Sequence, residues 1–294
     1  MYAVACLWRQ GVARVRSKGG ADVTGSSSAH DDSRPDPRLD ASVAHTARVW
    51  NYWLGGKDNY GADREVGEQI LQFLPGMRAT ARADRAFLGR AVRYLAGEAG
   101  IRQFLDIGTG LPTADNTHEV AQAVAPESRI VYVDNDPLVL RHAQALLVGT
   151  PEGATDYIEA DLHDPDTILE QAAGTLDFSQ PVALTLLGVL NFILDDGEAQ
   201  AIVNRLLDAV PPGSYLAIAH ASNEVNPAEA EAARRFWNEN AKPPITFRTA
   251  LQITRFFDRT ELAEPGVVSC SRWRPDVLDA PEVDQYCGVG RLAG

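Results

Sequence analysis

The stretch Phe104-Leu105-Asp106-Ile107-Gly108-Thr109-Gly110-Leu111-Pro112-Thr113 constrains the fold more than any other part of the chain. It reads as an apolar strand over 101–107 running into a tight turn, where Gly108 and Gly110 let the backbone approach a ligand closely. A helix is expected to begin near Thr113. Strand, glycine turn and helix start make the first half of a nucleotide-binding βαβ unit, with the ligand at the carboxyl end of the strand. Gly-x-Gly alone fits an ordinary strand-to-helix turn equally well, so the reading depends on the residues downstream of Thr113.

The next strand supplies that support. Arg129-Ile130-Val131-Tyr132-Val133-Asp134 is β-branched and apolar and ends on a carboxylate, where an acidic side chain can accept from both ribose hydroxyls. A dinucleotide fingerprint needs Gly or Ala three places after the second glycine, and this chain has Thr113 there. Asp106 would also meet a pyrophosphate with the wrong sign. It suits a cationic amino group, and S-adenosylmethionine offers one together with a sulfonium charge, a ribose and no phosphate.

With 294 residues, 45% of them apolar, the chain has room for one large domain or two small ones. Its net charge of −13, from 27 basic and 40 acidic residues, opposes binding to a phosphate backbone, so no nucleic-acid partner is expected. Cys6, Cys270 and Cys287 have neither a Cys-x-x-Cys nor a Cys/His ligand spacing. No metal site or disulfide is therefore expected, and the thiols suit a reducing, cytoplasmic setting. No segment approaches the roughly 20 apolar residues of a membrane span, and no apolar run succeeds the basic N-terminus to form a secretory signal. From Ser17 onward the N-terminal segment is rich in Ser, Gly, Asp and Pro, so residues 1–40 are predicted to be a disordered tail. Nothing in the pattern signals an oligomeric state.

The folded part opens with a predicted helix over 41–54, capped by Asp40 and burying Val43, Ala47, Trp50 and Leu54. It ends in Trp50-Asn51-Tyr52-Trp53-Leu54-Gly55-Gly56-Lys57-Asp58-Asn59-Tyr60-Gly61. Two readings stand side by side: a helix packed by its aromatics and stopped by Gly-Gly, or a lid of aromatics over a flat or cationic ligand, oriented by Lys57, Asp58 and Asn59. Further helices are predicted over 63–73, capped by Asp63, and around 87–95. Strands and helices then alternate, which argues for a parallel sheet covered on both faces. Strand three, 156–161, ends on Asp161-Leu162, placed either to contact adenine or to cap the next helix. Strand four, 182–190, is continuously apolar and so central. Strand five, 215–219, ends at His220 after Pro211-Pro212-Gly213. Asn191, Phe192, His220 and Ser222 therefore fall on the acceptor side of the crevice. Two terminal strands, 266–273 and 285–292, are expected to pair antiparallel at the sheet edge.

These residues resemble the class I S-adenosylmethionine-dependent methyltransferases. Asp106-x-Gly108-x-Gly110 looks like their first motif, with Pro112 where a third glycine is usual; Asp161-Leu162 looks like the adenine-contacting pair, and Pro211-Pro212-Gly213 like the turn before strand five. The segments 48–60, 106–113, 116–118, 132–137 and 255–258 together resemble an actinobacterial S-adenosyl methyltransferase family once catalogued as a domain of unknown function. Asn191 stands where that family pattern has a histidine, which bears on any acid–base role there.

The resemblance covers 41–294 and implies a Rossmann-like α/β fold. A seven-stranded sheet with helices on both faces would occupy 101–294 and a helical cap 41–100. It also implies S-adenosylmethionine as cofactor, bound by Asp106, Gly108, Thr109, Gly110, Asp134, Asn135, Asp161 and Leu162. Trp50, Tyr52, Trp53, Lys57 and Asn59 would face a small-molecule acceptor such as a secondary metabolite. His220 is the expected general base, because an unperturbed imidazole titrates near neutrality, with Asn191 beside the reaction. Two alternatives to the enzyme are a catalytically silent S-adenosylmethionine-binding regulator and an NAD-dependent oxidoreductase, the latter opposed by Thr113.

Overall fold

Period-two alternation along the strands decides how the layers stack, because each strand sends successive side chains to opposite faces. The computed structural model describes residues 40–294 apart from 147 and 278. The expected tail and Cys6 lie outside the described residues, Asp40 excepted. A two-residue strand β1 (Ala44–His45) and the helices α1 (Thr46–Trp53), α2 (Gly61–Phe73) and α3 (Met77–Arg93) precede the sheet. Strands and helices then alternate: β2 (Gln103–Ile107), α4 (Thr117–Val124), β3 (Arg129–Asp134), α5 (Pro137–Leu146), β4 (Ala154–Glu159) and α6 (Pro165–Ala172). Next come β5 (Ala183–Leu187), α7 (Asp196–Asp208), β6 (Tyr215–Ala221) and α8 (Pro227–Asn240). The chain closes with β7 (Ala241–Lys242), α9 (Ala250–Arg255), β8 (Thr260–Leu262), β9 (Val268–Ser269) and β10 (Gln285–Leu292).

The sheet runs β4-β3-β2-β5-β6-β10-β8, with β9 attached to β10 off this path. Strands β4 through β6 are parallel, and β10 is antiparallel to β6, β8 and β9. The expected seven-stranded path is present, and β9 adds an eighth, two-residue strand. The expected antiparallel pairing of 266–273 with 285–292 is present as β9 with β10, but β10 lies inside the sheet against β6, and β8 forms the edge. Leu105, Val131, Leu184 and Leu216 pack into one core layer, while Phe104, Ile130, Ala183 and Ala217 pack into the other. Both faces are therefore buried, as continuous apolar strands require.

Because β4 leads to β5 on the far side of β2, the chain reverses direction of winding between β2 and β5. A crevice opens there beyond the strands' carboxyl ends. A third apolar cluster roofs it, joining Val49, Trp53, Val66 and Ile70 of the N-terminal helices to Ala233 and Trp237 of α8. Strand β1 pairs in parallel with β7, so the roof draws on α8 and β7 as well as on the expected cap over 41–100.

Candidate cofactor and acceptor site

The turn after β2 is held open by backbone bonds that extend the β2–β3 ladder. Gly108 N and Thr109 N both donate to Val133 O, at 2.8 and 3.3 Å. Gly108 has φ +77°, and a Cβ there would lie 2.5 Å from Val189 Cβ, so no side chain fits. Helix α4 starts at Thr117, later than expected. Asn116 is its N-cap in a capping box with Glu119, which accepts from Asn116 N at 2.7 Å, and Asn116 Oδ1 also ties down the preceding turn by accepting from Thr113 N at 3.1 Å.

Asp106 is buried beneath this turn. Its Oδ2 accepts from Thr117 Oγ1 at 2.6 Å and its Oδ1 from Thr185 Oγ1 at 2.9 Å. Burial pushes its pKa up, and the two hydroxyls oppose the shift. Asp134 Oδ2 accepts from Gly110 N at 2.9 Å and its Oδ1 from Asp136 N at 2.9 Å, while burial lifts its pKa to about 6. At the end of β4, Asp161 accepts from Asn135 Nδ2 at 3.1 Å and from His163 N at 2.9 Å.

These residues line one cavity of about 1230 Å³, and all eight expected cofactor residues are in its wall. The donor set fits a phosphate-free cationic nucleoside. A pyrophosphate would need the N–H of Gly110, and the carboxylate of Asp134 already takes it. Among the described residues no group of three or more His, Cys, Asp or Glu could hold a metal ion, and no helix is long and apolar enough to cross a membrane.

The expected acceptor residues divide. Trp50, Trp53 and Asn191 line the cavity, with the Trp50 and Trp53 rings edge-to-face at 5.7 Å. Tyr52, Lys57 and Asn59 do not. Tyr52 turns its hydroxyl to Glu68 and its ring to the Arg78 guanidinium, 5.4 Å away. Lys57 is exposed. Asn59 donates to Asn51 Oδ1 and Gly56 O at 3.0 Å each, so it shapes the loop and does not face a ligand.

His220 is also misplaced for its expected role. It is fully buried within β6 and absent from the cavity wall. Arg248 Nη1 donates to its Nε2 at 2.8 Å, which leaves the proton on Nδ1 to bond Ala221 O at 2.7 Å. Desolvation pushes its pKa down to about 3, so the ring stays neutral and its basic nitrogen is occupied. Its work is to hold Arg248, which also donates to Leu190 O, Ile193 O and Asp196 Oδ1 at 2.8–2.9 Å. That clip fixes the turn after β5 against the end of β6.

The lining residues outside the expected set include Asp84 and Arg85 of α3. Asp84 accepts from Gln285 Nε2 at 3.1 Å, and burial lifts its pKa to about 6. Arg85 bonds Ala114 O and Asn116 Oδ1 through Nε and Nη2, and its charge acts on Asp106. One sequence signal was available, since Asp84 sits on the same helical stripe as the apolar Phe87, Leu88 and Ala91. An acidic residue on a buried stripe requires a reason.

A family model described as S-adenosyl methyltransferase matches residues 32–293. The chain belongs to this S-adenosyl methyltransferase family. A solved DUF574 family protein from Streptomyces avermitilis shares 46% identity with a TM-score of 0.83, over 86% of this chain and 99% of that one. A candidate methyltransferase from Thermobifida fusca shares 42% identity with a TM-score of 0.81, over 88% of this chain and 99% of that one. The curated proteins give no match. The family makes the chain an S-adenosylmethionine-dependent methyltransferase.

Proposed function

We propose that this methyltransferase acts on a small molecule, such as a secondary metabolite, bound in the same cavity as S-adenosylmethionine. One observation carries the reading. The ends of β2, β3 and β4 bring all eight expected cofactor residues to one wall, and the cavity continues beneath the roof. S-adenosylmethionine supplies an activated methyl on a sulfonium, so the protein's tasks are alignment, exclusion of water and, where needed, removal of a proton. Asp106, steadied by Thr117 and Thr185, would accept from the ammonium group, and Arg85 beside it suits the carboxylate of the same amino-acid end. Asp134 and Asn135 would take the ribose, Asp161 and Leu162 the adenine, and Trp50 would cover the ligand.

Residues 41–294 would work as one unit, since the roof is shared between the segment 41–100 and α8. The two actinobacterial neighbours support an actinobacterial origin, and a metabolic methyl donor supports a cytoplasmic setting. Acidic residues in the wall argue against a nucleic-acid acceptor.

The test is calorimetric titration with S-adenosylhomocysteine, which is expected to bind. Asp106→Asn should weaken it about 10- to 100-fold, the range for a lost charge-assisted hydrogen bond. Binding of NADH with no binding of the nucleoside would overturn the reading. A silent cofactor-binding regulator is the second reading, favoured by the amide at Asn191 and the occupied ring of His220. Nucleoside binding with no methyl consumed against any acceptor in a metabolite extract would select it.

A further inference from the structure

We propose that the acceptor is an amine, held by Asp84, Asn191 and Ser222 in the part of the cavity that the cofactor residues leave free. This rests on the methyltransferase function proposed for the same cavity. Asp84 is a buried carboxylate with one neutral hydrogen-bond donor, Gln285, and no ion pair among the described residues. Arg85, the cation nearest in sequence, lowers the Asp84 pKa by its charge but makes its hydrogen bonds to Ala114 and Asn116 and none to Asp84. The thiols of Cys270 and Cys287, whose pKa values Asp84 helps to raise, stay neutral. A buried charge without a partner is costly, so a cavity-facing carboxylate in this state calls for a cation from the ligand.

Two further atoms point the same way. Asn191 and Ser222 line the cavity, are 7% and 0% exposed, and their buried Oδ1 and Oγ have no hydrogen-bond partner. A carboxamide oxygen only accepts, so Asn191 asks the ligand for an N–H or O–H. The three groups belong to one framework. Gln285, the partner of Asp84, is in register with Ala221, next to Ser222, while Arg248 ties Leu190, next to Asn191, to His220 in the same strand.

Charge in the wall narrows the donor to nitrogen. Asp106, Asp134 and Asp161 serve the cofactor, yet Asp84, Glu229, Glu282 and Asp284 also line the cavity, against only Arg85 and Lys242 as opposing Arg or Lys. Such an excess attracts cations and works against acids and phenolates. Trp50 and Trp237 add aromatic faces suited to an ammonium group.

The step then balances. The bound ammonium gives a proton to the Asp84 carboxylate, and its freed lone pair forms the N–C bond to the methyl carbon. The C–S bond breaks with its electrons going to sulfur, leaving a neutral thioether and a methylated ammonium. A carboxyl lifted to about 6 is mostly ionised at neutrality and still able to take up that proton.

The experiment uses the full chain saturated with S-adenosylhomocysteine. Phenethylamine, tryptamine and 2-cyclohexylethylamine are each titrated calorimetrically beside the alcohol of the same skeleton. At least one amine is expected to bind tenfold or more tighter than its alcohol. Asp84→Asn, which removes the charge without changing the volume, should erase that preference, and Ser222→Ala should weaken the amine three- to tenfold. Melting curves check that each variant is folded, and Ser222→Ala carries the test if Asp84→Asn unfolds. Equal binding of alcohol and amine, a preference that survives in folded Asp84→Asn, or no binding by any amine overturns the proposal. Failure of S-adenosylhomocysteine to bind overturns the cofactor reading instead.

Discussion

Gly108 shows how much one residue can determine here. Its φ of +77° strains any other residue, and a Cβ would press on Val189 at 2.5 Å. Gly108→Ala should therefore cost at least about 2 kcal/mol, combining left-handed strain with overpacking, and should abolish nucleoside binding. Val189→Gly in the same chain, which removes the Cβ that would be struck, should recover the overpacking part alone when the double variant is compared with Val189→Gly by itself. Urea unfolding of the single and double variants separates the two, and an equal cost of Gly108→Ala in both backgrounds would refute the assigned clash. The glycine turn and the acidic strand ends were legible because they are local features: a positive φ needs glycine, and a carboxylate at the end of an apolar strand stands out in the sequence. Asp84 was harder to read, since its carboxylate matters through Gln285, some 200 positions away in sequence.

Helix α1 illustrates what a single element can hide. A helix over 41–54 burying Val43, Ala47, Trp50 and Leu54 was expected, but those four are only half-buried, and the last three line the cavity. The buried residues are Arg48, Val49, Asn51 and Trp53. A polar contact reversed the assignment. Arg48 Nε donates to Asp63 at 3.1 Å, and Asp63 also accepts from His45 N and Tyr60 N at 3.0 and 2.7 Å, so it joins β1 to the start of α2. Asp63 was expected as a helix cap. It sits inside the helix's first turn, and Tyr60 occupies the cap position. Apolar spacing alone cannot separate a core stripe from a ligand-facing stripe, because both exclude water. Arg48→Met leaves Asp63 buried without its cation and should cost about 3–5 kcal/mol. The loss should be local to the roof. Hydrogen exchange should rise over 44–63 while β2 and β3 remain protected, and uniform loss of protection would show that the roof and the sheet unfold together.

At the scale of the whole molecule, the alternation of strands and helices made the sheet legible, and the antiparallel pairing of the two terminal segments was legible too, but not the place of β10 inside the sheet. β10 is a long strand, but its place inside the sheet depends on β8, three residues that no pattern announced. His220 was misread for a related reason. Its strand was recognised, but the partner that occupies its ring comes from 248, beyond α8. That pairing has a consequence for stability against pH. The folded pKa of His220 is about 3 against 6.5 in the unfolded chain, so between those values the unfolded chain binds the extra proton. The stability His220 confers is complete above 6.5 and is lost as pH falls toward 3. Asp84 and Asp134 act in the opposite sense, because their folded values of about 6 lie above 3.8, and acid relieves the cost of burying them. His45 and His118, both lowered by burial, act in the same sense as His220. Comparing the protein with His220→Gln cancels these common contributions, since the amide cannot take up the proton. The stability gap between the two should narrow by about 1.4 kcal/mol for each pH unit below 6.5. Urea unfolding at pH 7.5 and 5.5 measures it, and a gap that stays constant between the two would mean that His220 is not held as a neutral ring in the folded protein.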